Sequence, residues 1–240
     1  MGAKRIYSVA IVSLLASVGI YFAVSKSVTD EQAQYGKRSI SNSSKIKLPS
    51  PRYNSGVSIE QALLKRRSVR KYKAEPLTIA EVSQLLWSAQ GITNPSGFRT
   101  APSAGALYPL EVYLVVGEVK GLSQGIYKYL PRQHELLKIR DGDVRRELAI
   151  AALGQSWVKD AAIDIVFAAV YERVTRKYGK RGIRYVHMEV GHAAENVYLQ
   201  AVSLKLGTVV VGAFEDEKVK KILNMAESEQ PLYIMPIGKL

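Results

Sequence analysis

The sequence contains no cysteine, which excludes disulfides, thiolate nucleophiles and Cys-ligated zinc or iron–sulfur centres, and leaves the redox compartment open. Histidine is scarce, three in 240 residues. His187 and His192 are five apart and no HExxH arrangement occurs, so no metal site is expected. No GxGxxG or P-loop sequence is present, which argues against a separate nucleotide-binding domain. Acidic residues are outnumbered, 21 against 34 Lys and Arg, for a net charge of +13. Residues 1–52 hold 8 basic and 2 acidic residues, the rest 26 and 19, so the N-terminal part is the more basic per residue. Neither a basic stripe interleaved with aromatics nor a zinc-finger or RNP-like motif occurs, so nucleic acid is not an expected partner. Attraction to anionic lipid head groups, at about 1 kcal/mol per basic residue, is the simpler reading of that excess.

Ile6 to Val24 is a 19-residue stretch without a charge. As a helix it would rise ~28 Å, about one hydrocarbon thickness. Lys4 and Arg5 precede it, and Tyr7 and Tyr21 stand where interfacial aromatics are favoured. Residues 1–25 are therefore expected to form a transmembrane anchor or uncleaved signal, with the remainder on the extracytoplasmic side. Residues 26–56, polar and basic, read as a tether, and 57–240 as one folded domain.

Within that domain helices and strands alternate. Ser58 with Gln61, and Thr78 with Glu81, are spaced as capping boxes, predicting helices over 58–66 and from 78 to Gly91. Strands are expected at 111–117 and 163–170, with a hairpin over 126–130 and 136–140, solvent on one face. Short helices follow at 143–153 and 154–159. The longest helix is expected from Arg184 to Lys205, on the apolar stripe Val186, Val190, Ala193, Val197, Ala201 and Leu204, ended by Gly207. A strand at 208–212, a helix at 216–225 and a strand at 232–237 complete an α+β pattern rather than a doubly wound one.

Three clusters carry chemistry. Arg66-Arg67-Ser68-Val69-Arg70 offers guanidiniums and a hydroxyl to a phosphate, with Arg66, Ser68 and Arg70 on one side if the chain is extended; a solvated basic patch is the bland alternative. Ala101 to Pro109 (APSAGALYP) is a small-residue loop that lets a ring approach the backbone, or simply a turn. Val209 to Phe214 (VVVGAF) ends a buried strand in glycine, where an N–H can face a planar ring. In this order, with RRSVRKY (66–72), PSAGALYPLEVYLV (102–115), YGKRGIRYVHMEVGHAAENVYLQA (178–201), LGTVVVGAFED (206–216) and PIG (236–238), the chain resembles the nitroreductase superfamily over residues 57–240. The likeness is closer still to the SagB-type branch, which includes azoline dehydrogenases.

That resemblance implies a homodimer with a central, mostly antiparallel sheet flanked by helices and FMN bound between subunits. Arg66, Arg67 and Ser68 match positions that hold the phosphate and ribityl chain, and Arg70 a basic position near the pyrimidine edge. Pro102, Ser103, Ala104 and Gly105 match a loop reaching the partner's cofactor, and Val211 and Gly212 the pair beside N5. Lys177 and Tyr178 resemble a catalytic pair associated with proton removal; the surrounding RKYGKRG reads equally as a solvated loop. Many relatives continue past the last strand with a further basic phosphate contact and a clasp on the partner; here the sequence stops two residues after Gly238, and Lys239 is expected to substitute in part as a cofactor-binding residue. NAD(P)H is an expected transient donor, and a small molecule or modified peptide the expected substrate. A non-catalytic flavin-storing module and a membrane-surface adaptor are the alternatives. Glu189, His192, Glu195 and Asn196 share a polar side of the long helix and are expected to hydrogen-bond within a dimer core, with Trp87 and Trp157 in core or interface.

Overall fold

The structure, a computed structural model, describes residues 44–240. In chain order the elements begin with β1 (Lys45–Lys47), α1 (Ile59–Lys65), β2 (Leu77–Thr78), α2 (Ile79–Gln90), β3 (Leu110–Val116), β4 (Val119–Lys120), β5 (Gly125–Leu130) and β6 (Glu135–Asp141). They continue with α3 (Arg145–Ala151), α4 (Ser156–Asp160), β7 (Ile163–Ala169), α5 (Glu172–Tyr178), α6 (Arg181–Ser203), β8 (Leu206–Thr208), α7 (Asp216–Ile222) and β9 (Gln230–Lys239). Seven strands form one sheet in the order β1-β6-β5-β3-β7-β9-β8, and every pairing in it is antiparallel. β2 and β4 make a separate parallel pair.

Side-chain alternation along the central strands builds two cores, one on each face of the sheet. Val112, Leu114 and Val116 of β3, with Ile163, Ile165 and Phe167 of β7, point to the face covered by α2 and α6. Tyr113 and Val115, with Val166 and Ala168, point to the face covered by α3, α4 and α7. Because both faces are covered, β3 and β7 read as unbroken apolar runs. β5 is likewise mostly buried, so the expected solvent face of the hairpin is confined to β6.

Of the two expected capping boxes, the one at Thr78–Glu81 is complete and the one at Ser58–Gln61 is half formed. Ser58 accepts from the Gln61 N–H at α1, and at α2 the Thr78 hydroxyl and Glu81 carboxylate exchange reciprocal bonds. α6 starts three residues before the expected Arg184, and its buried side is Val186, Val190, Ala193, Val197 and Ala201. It stops at Ser203, so Gly207 is not its terminator. Gly207 lies in β8, where a Cβ would sit 2.8 Å from Cγ1 of Val69; the missing side chain lets the segment after α1 close onto β8. The expected strand 208–212 is likewise shorter, β8 ending at Thr208 with a single further bridge at Val211.

Two expectations are corrected. The folded body reaches back into the stretch read as a tether: Lys45–Lys47 pairs with β6 and Leu48 is buried. A membrane anchor and single-pass membrane location are not supported: no helix among the described residues is long and apolar enough to cross a membrane. The stretch Ile6 to Val24 itself lies outside the described residues. α6 has the length, but Arg181, Arg184, Glu189 and Glu195 make it too polar, and its apolar side is used by the core.

Replacing Thr78 with Ala removes the hydroxyl half of the α2 cap and is expected to cost about 1 kcal/mol. For a body of this size the thermal midpoint should fall by roughly 2–4 °C in calorimetry. An unchanged midpoint would show that the Glu81 side carries the cap alone.

Candidate functional site

At the end of α1 the Arg66 N–H still donates to Ala62 (2.9 Å), after which the chain becomes extended. The Val69 N–H then donates to the Thr208 carbonyl (2.9 Å), and Ser68 pairs with Thr208 as a parallel bridge. This docking places the Ser68 hydroxyl 3.2 Å from that of Tyr198, which projects from α6 and is 8% exposed. The same tyrosine oxygen accepts from the Val210 N–H at 2.8 Å. The Arg66 guanidinium lies 5.2 Å from the centre of the Tyr198 ring, with Nε 3.9 Å from Glu195. Tyr198 thus joins the first expected cluster to the third. The helical stripe, read for its aliphatic positions and polar side, passed over it; a tyrosine one turn beyond Glu195, beside the stripe residue Val197, was the available signal.

The other members of these clusters are disposed differently. Arg67 is exposed and turns its guanidinium back to the carbonyls of Leu64 (3.2 Å) and Arg66 (2.6 Å). Arg70 does not share the contacts of Arg66 and Ser68; it stacks over Trp157 of α4 at 5.5 Å. Val211 is buried and exchanges two backbone bonds with Ile234. Gly212, the next residue, is exposed, and its N–H makes no hydrogen bond among the described residues. Lys239 is not brought to this group. Its ammonium donates to Glu81 at 2.5 Å; burial acts to raise the Glu81 pKa, but the bonds from Lys239 and Thr78 outweigh it and hold it low.

The second cluster assembles elsewhere. Gly105 has φ +65°, and a Cβ there would lie 2.7 Å from the Tyr178 hydroxyl and 3.1 Å from Nζ of Lys177. Pro102 is exposed, Ser103 and Ala104 partly so. Lys177 and Tyr178 occupy the last turn of α5, not the solvated loop that was the alternative reading, with Tyr178 edge-on to Tyr185 of α6 (5.2 Å). Lys177 is exposed, so its own chain does not desolvate the ammonium. Beneath the loop Glu189 is 2% exposed; burial pushes its pKa up to about 7, while the Ser103 hydroxyl and the Arg99 charge pull it down. On the remaining polar side of α6, Asn196 donates to the Thr100 carbonyl (3.2 Å) and His187 pairs with Tyr171 (2.7 Å).

Within one chain the two groups do not meet. Glu189 and Tyr198 mark their levels on α6, and nine residues of helix separate them by ~14 Å. Arg66, Arg67 and Ser68, opposed nearby by Glu195 alone among the ion pairs, leave a net positive, donor-rich surface beside an unused glycine N–H. The nearest atom to a Cβ built on Gly212 is 3.7 Å away on Tyr233, so the approach to this backbone is open. These features fit a planar group bearing a phosphate ester.

The chain matches the model of the nitroreductase family over residues 63–239. A Methanocaldococcus jannaschii protein carrying the nitroreductase name is 53% identical over 183 residues, covering 76% of this chain and 91% of that protein. A solved structure of that name from Anabaena variabilis aligns with TM-score 0.72 at 33% identity, over 82% of this chain and 42% of that one. The microcin-processing protein of Escherichia coli is 28% identical over 169 residues, 68% of this chain and 62% of that protein. The chain therefore spans less than half of the Anabaena chain and under two thirds of the microcin-processing protein. These likenesses agree with the resemblance read from the motifs, in fold and in branch.

Replacing Tyr198 with Phe leaves the Val210 N–H without its acceptor, at an expected cost of about 1–3 kcal/mol. The denaturation midpoint should fall, and amide exchange at Val210 should quicken ten-fold or more. Unchanged exchange at Val210 would show that the hydroxyl does not join the two segments.

Proposed function

Because this chain belongs to the nitroreductase family, we propose that it is an FMN-dependent oxidoreductase, working as a homodimer, that moves two electrons to or from a small substrate. The observation that carries the proposal is the Tyr198 joint, which sets Arg66 and Ser68 beside the Val210–Gly212 backbone. Arg66, Arg67 and Ser68 would hold the phosphate and ribityl chain, Arg70 the pyrimidine side, and the Gly212 N–H the ring. FMN, when bound, supplies the electron-carrying ring system; everything else is positioning and electrostatics from the protein. A guanidinium near the pyrimidine edge favours the negative charge that reduction brings there.

A second copy supplies what one chain lacks. The loop Pro102–Gly105 and the pair Lys177–Tyr178 lie too far along α6 to reach their own chain's Ser68 and Gly212. α1 leaves Ile59, Leu63 and Leu64 at 55–66% exposure, and α6 leaves Ile183 and Met188 at 44% and 52%, apolar surface of the kind that associates. Burial of Lys177 against a second chain would also exclude water from its ammonium, the condition under which a lysine serves as a base, with the Tyr178 hydroxyl alongside to hold or pass a proton. Substrates with nitro, quinone or azoline groups suit this arrangement, and NAD(P)H is the proposed donor for the reductive direction.

The purified protein should sediment as a dimer and bind FMN, and NADPH or NADH should bleach the bound flavin anaerobically. Arg66→Ala should weaken FMN binding roughly 10–100-fold, the equivalent of one charged hydrogen bond at about 1.5–3 kcal/mol. A colourless protein that ignores added FMN would remove the proposal. Flavin that binds but bleaches with neither nucleotide would favour a storage module.

A further inference from the structure

β3 and β5 run side by side for only part of their length. Their antiparallel pairing begins at Val116 with Gly125 and stops at Tyr113 with Lys128. Leu110 to Val112 of β3 and Tyr129 to Leu130 of β5 stay extended beyond that point without pairing with each other. The strands part there and, with Pro131, border a cleft of about 260 Å³.

Arg99, Arg132 and Arg173 line this cleft against one acid, Glu111. Glu111 is already shared, by Arg173 and by Lys128 (3.1 Å). Arg132 is exposed and stands in no ion pair among the described residues. Arg99 is only partly engaged. Its Nη1 donates to Oε1 of Gln90 (2.7 Å) and its guanidinium lies 4.6 Å from the centre of the Tyr108 ring, but Nε is buried without a partner among the described residues. Burial acts to hold the Arg99 pKa below its usual range, outweighing the pull of Glu111 and Glu189. A cation so placed gains from an anion set beside it.

The cleft also has a fixed relation to the loop that carries Gly105. Arg173 donates to the Tyr108 carbonyl (3.1 Å), and Nζ of Lys177 is 3.1 Å from a Cβ built on Gly105. Both side chains belong to α5 and are four residues apart, hence on one face and ~6 Å from each other along the axis.

We propose that this cleft is an anionic subsite, in which Arg99, Arg132 and Arg173 receive a carboxylate carried on the substrate. Guanidinium forks match the two oxygens of a carboxylate. Leu130 and Pro131 offer apolar contact to its carbon skeleton, which a free phosphate cannot use. The anionic end is then held one helical turn from Lys177, a distance that a small aromatic acid spans. That the ligand is a substrate rests on the proposed flavin reading; that the cleft takes a carboxylate does not.

Titration calorimetry on the full chain, with benzoate, benzamide and inorganic phosphate as probes, tests the site without flavin. Benzoate should bind at least ten-fold more tightly than either of the others. Arg132→Gln changes an exposed side chain with no hydrogen bond among the described residues, so the fold should survive it, and benzoate should weaken ten-fold or more. Lys221→Gln, an equal loss of charge at an exposed position on α7, should leave benzoate affinity within two-fold. Equal affinity for benzoate and benzamide, including none for both, overturns the proposal, as does benzoate binding that Arg132→Gln leaves unchanged. Phosphate binding more tightly than benzoate would overturn the carboxylate assignment. In the holoenzyme, NADPH-driven reduction of 4-nitrobenzoate should show a KM at least ten-fold below that of 4-nitrobenzamide, with kcat within three-fold, and Arg132→Gln should erase the difference. Equal KM values would overturn the substrate role. Benzoate binding as expected to a chain that takes no FMN would remove the flavin reading and keep the subsite; FMN that binds and bleaches in a chain indifferent to benzoate would do the reverse.

Discussion

The hydroxyl of Tyr198 is the point on which the arrangement turns. Its oxygen accepts from the Val210 N–H and shares a second hydrogen bond with the Ser68 hydroxyl, in which either oxygen can donate. A phenol in the core thus ties a surface serine to the backbone at Val210. RRSVRKY supplies the serine, but the placement of that serine is not set locally. It depends on α6 packing by its apolar stripe, which sets where residue 198 emerges, and on Gly207, whose missing side chain admits Val69 to β8.

The net charge of +13 has a structural meaning once ion pairs are drawn. Lys128 is shared by Glu111 and Glu229, Arg173 is paired with Glu111, Arg145 with Asp143, and Lys239 with Glu81. Such pairs contribute little individually where they are exposed, and they cancel charge where they stand. Arg67, Arg70 and Lys177 stand in no ion pair among the described residues, and Arg66 has only the long contact to Glu195. Charge at Arg66, Arg67 and Arg70 is thus among that which folding leaves uncancelled, and an anionic ligand reaching this surface would meet it.

What could be read from the chain was local and periodic. The Thr78–Glu81 cap, the apolar runs of β3 and β7 and the three-and-four stripe of α6 as far as Ala201 are each decided by neighbours a few residues apart, and each stands where expected. What escaped was decided at a distance. β1 is Lys-Ile-Lys, a strand only because β6 offers an edge; nothing in those three residues separates it from a tether. α5 has no side-chain N-cap and ends in a basic run, so it looked like a solvated loop until packing against α6 ordered it. Lys239 carried the right charge for a phosphate but met a closer partner, Glu81, from an element 158 residues away. Tyr198 was visible as a residue, but its role comes from the Ser68 and Val210 segments, distant in sequence, that meet at its hydroxyl.

α6 also determines how a complete site is reached. At 23 residues it is a rigid rod of ~34 Å, with the Ser68–Gly212 group at its C-terminal half and the Gly105–Lys177–Tyr178 group at its N-terminal half. No rotamer change closes a ~14 Å separation along a helix. A two-fold axis near the middle of the rod does so without deforming either chain, because it sets the N-terminal half of one α6 beside the C-terminal half of the other. The same operation would turn the exposed Ile183 and Met188 toward a second copy and give Lys177 the dry surroundings its own chain withholds. In the proposed enzyme, dimerisation would then be part of the chemistry: each subunit would hold one cofactor by its phosphate end and present its loop and proton-handling pair to the other.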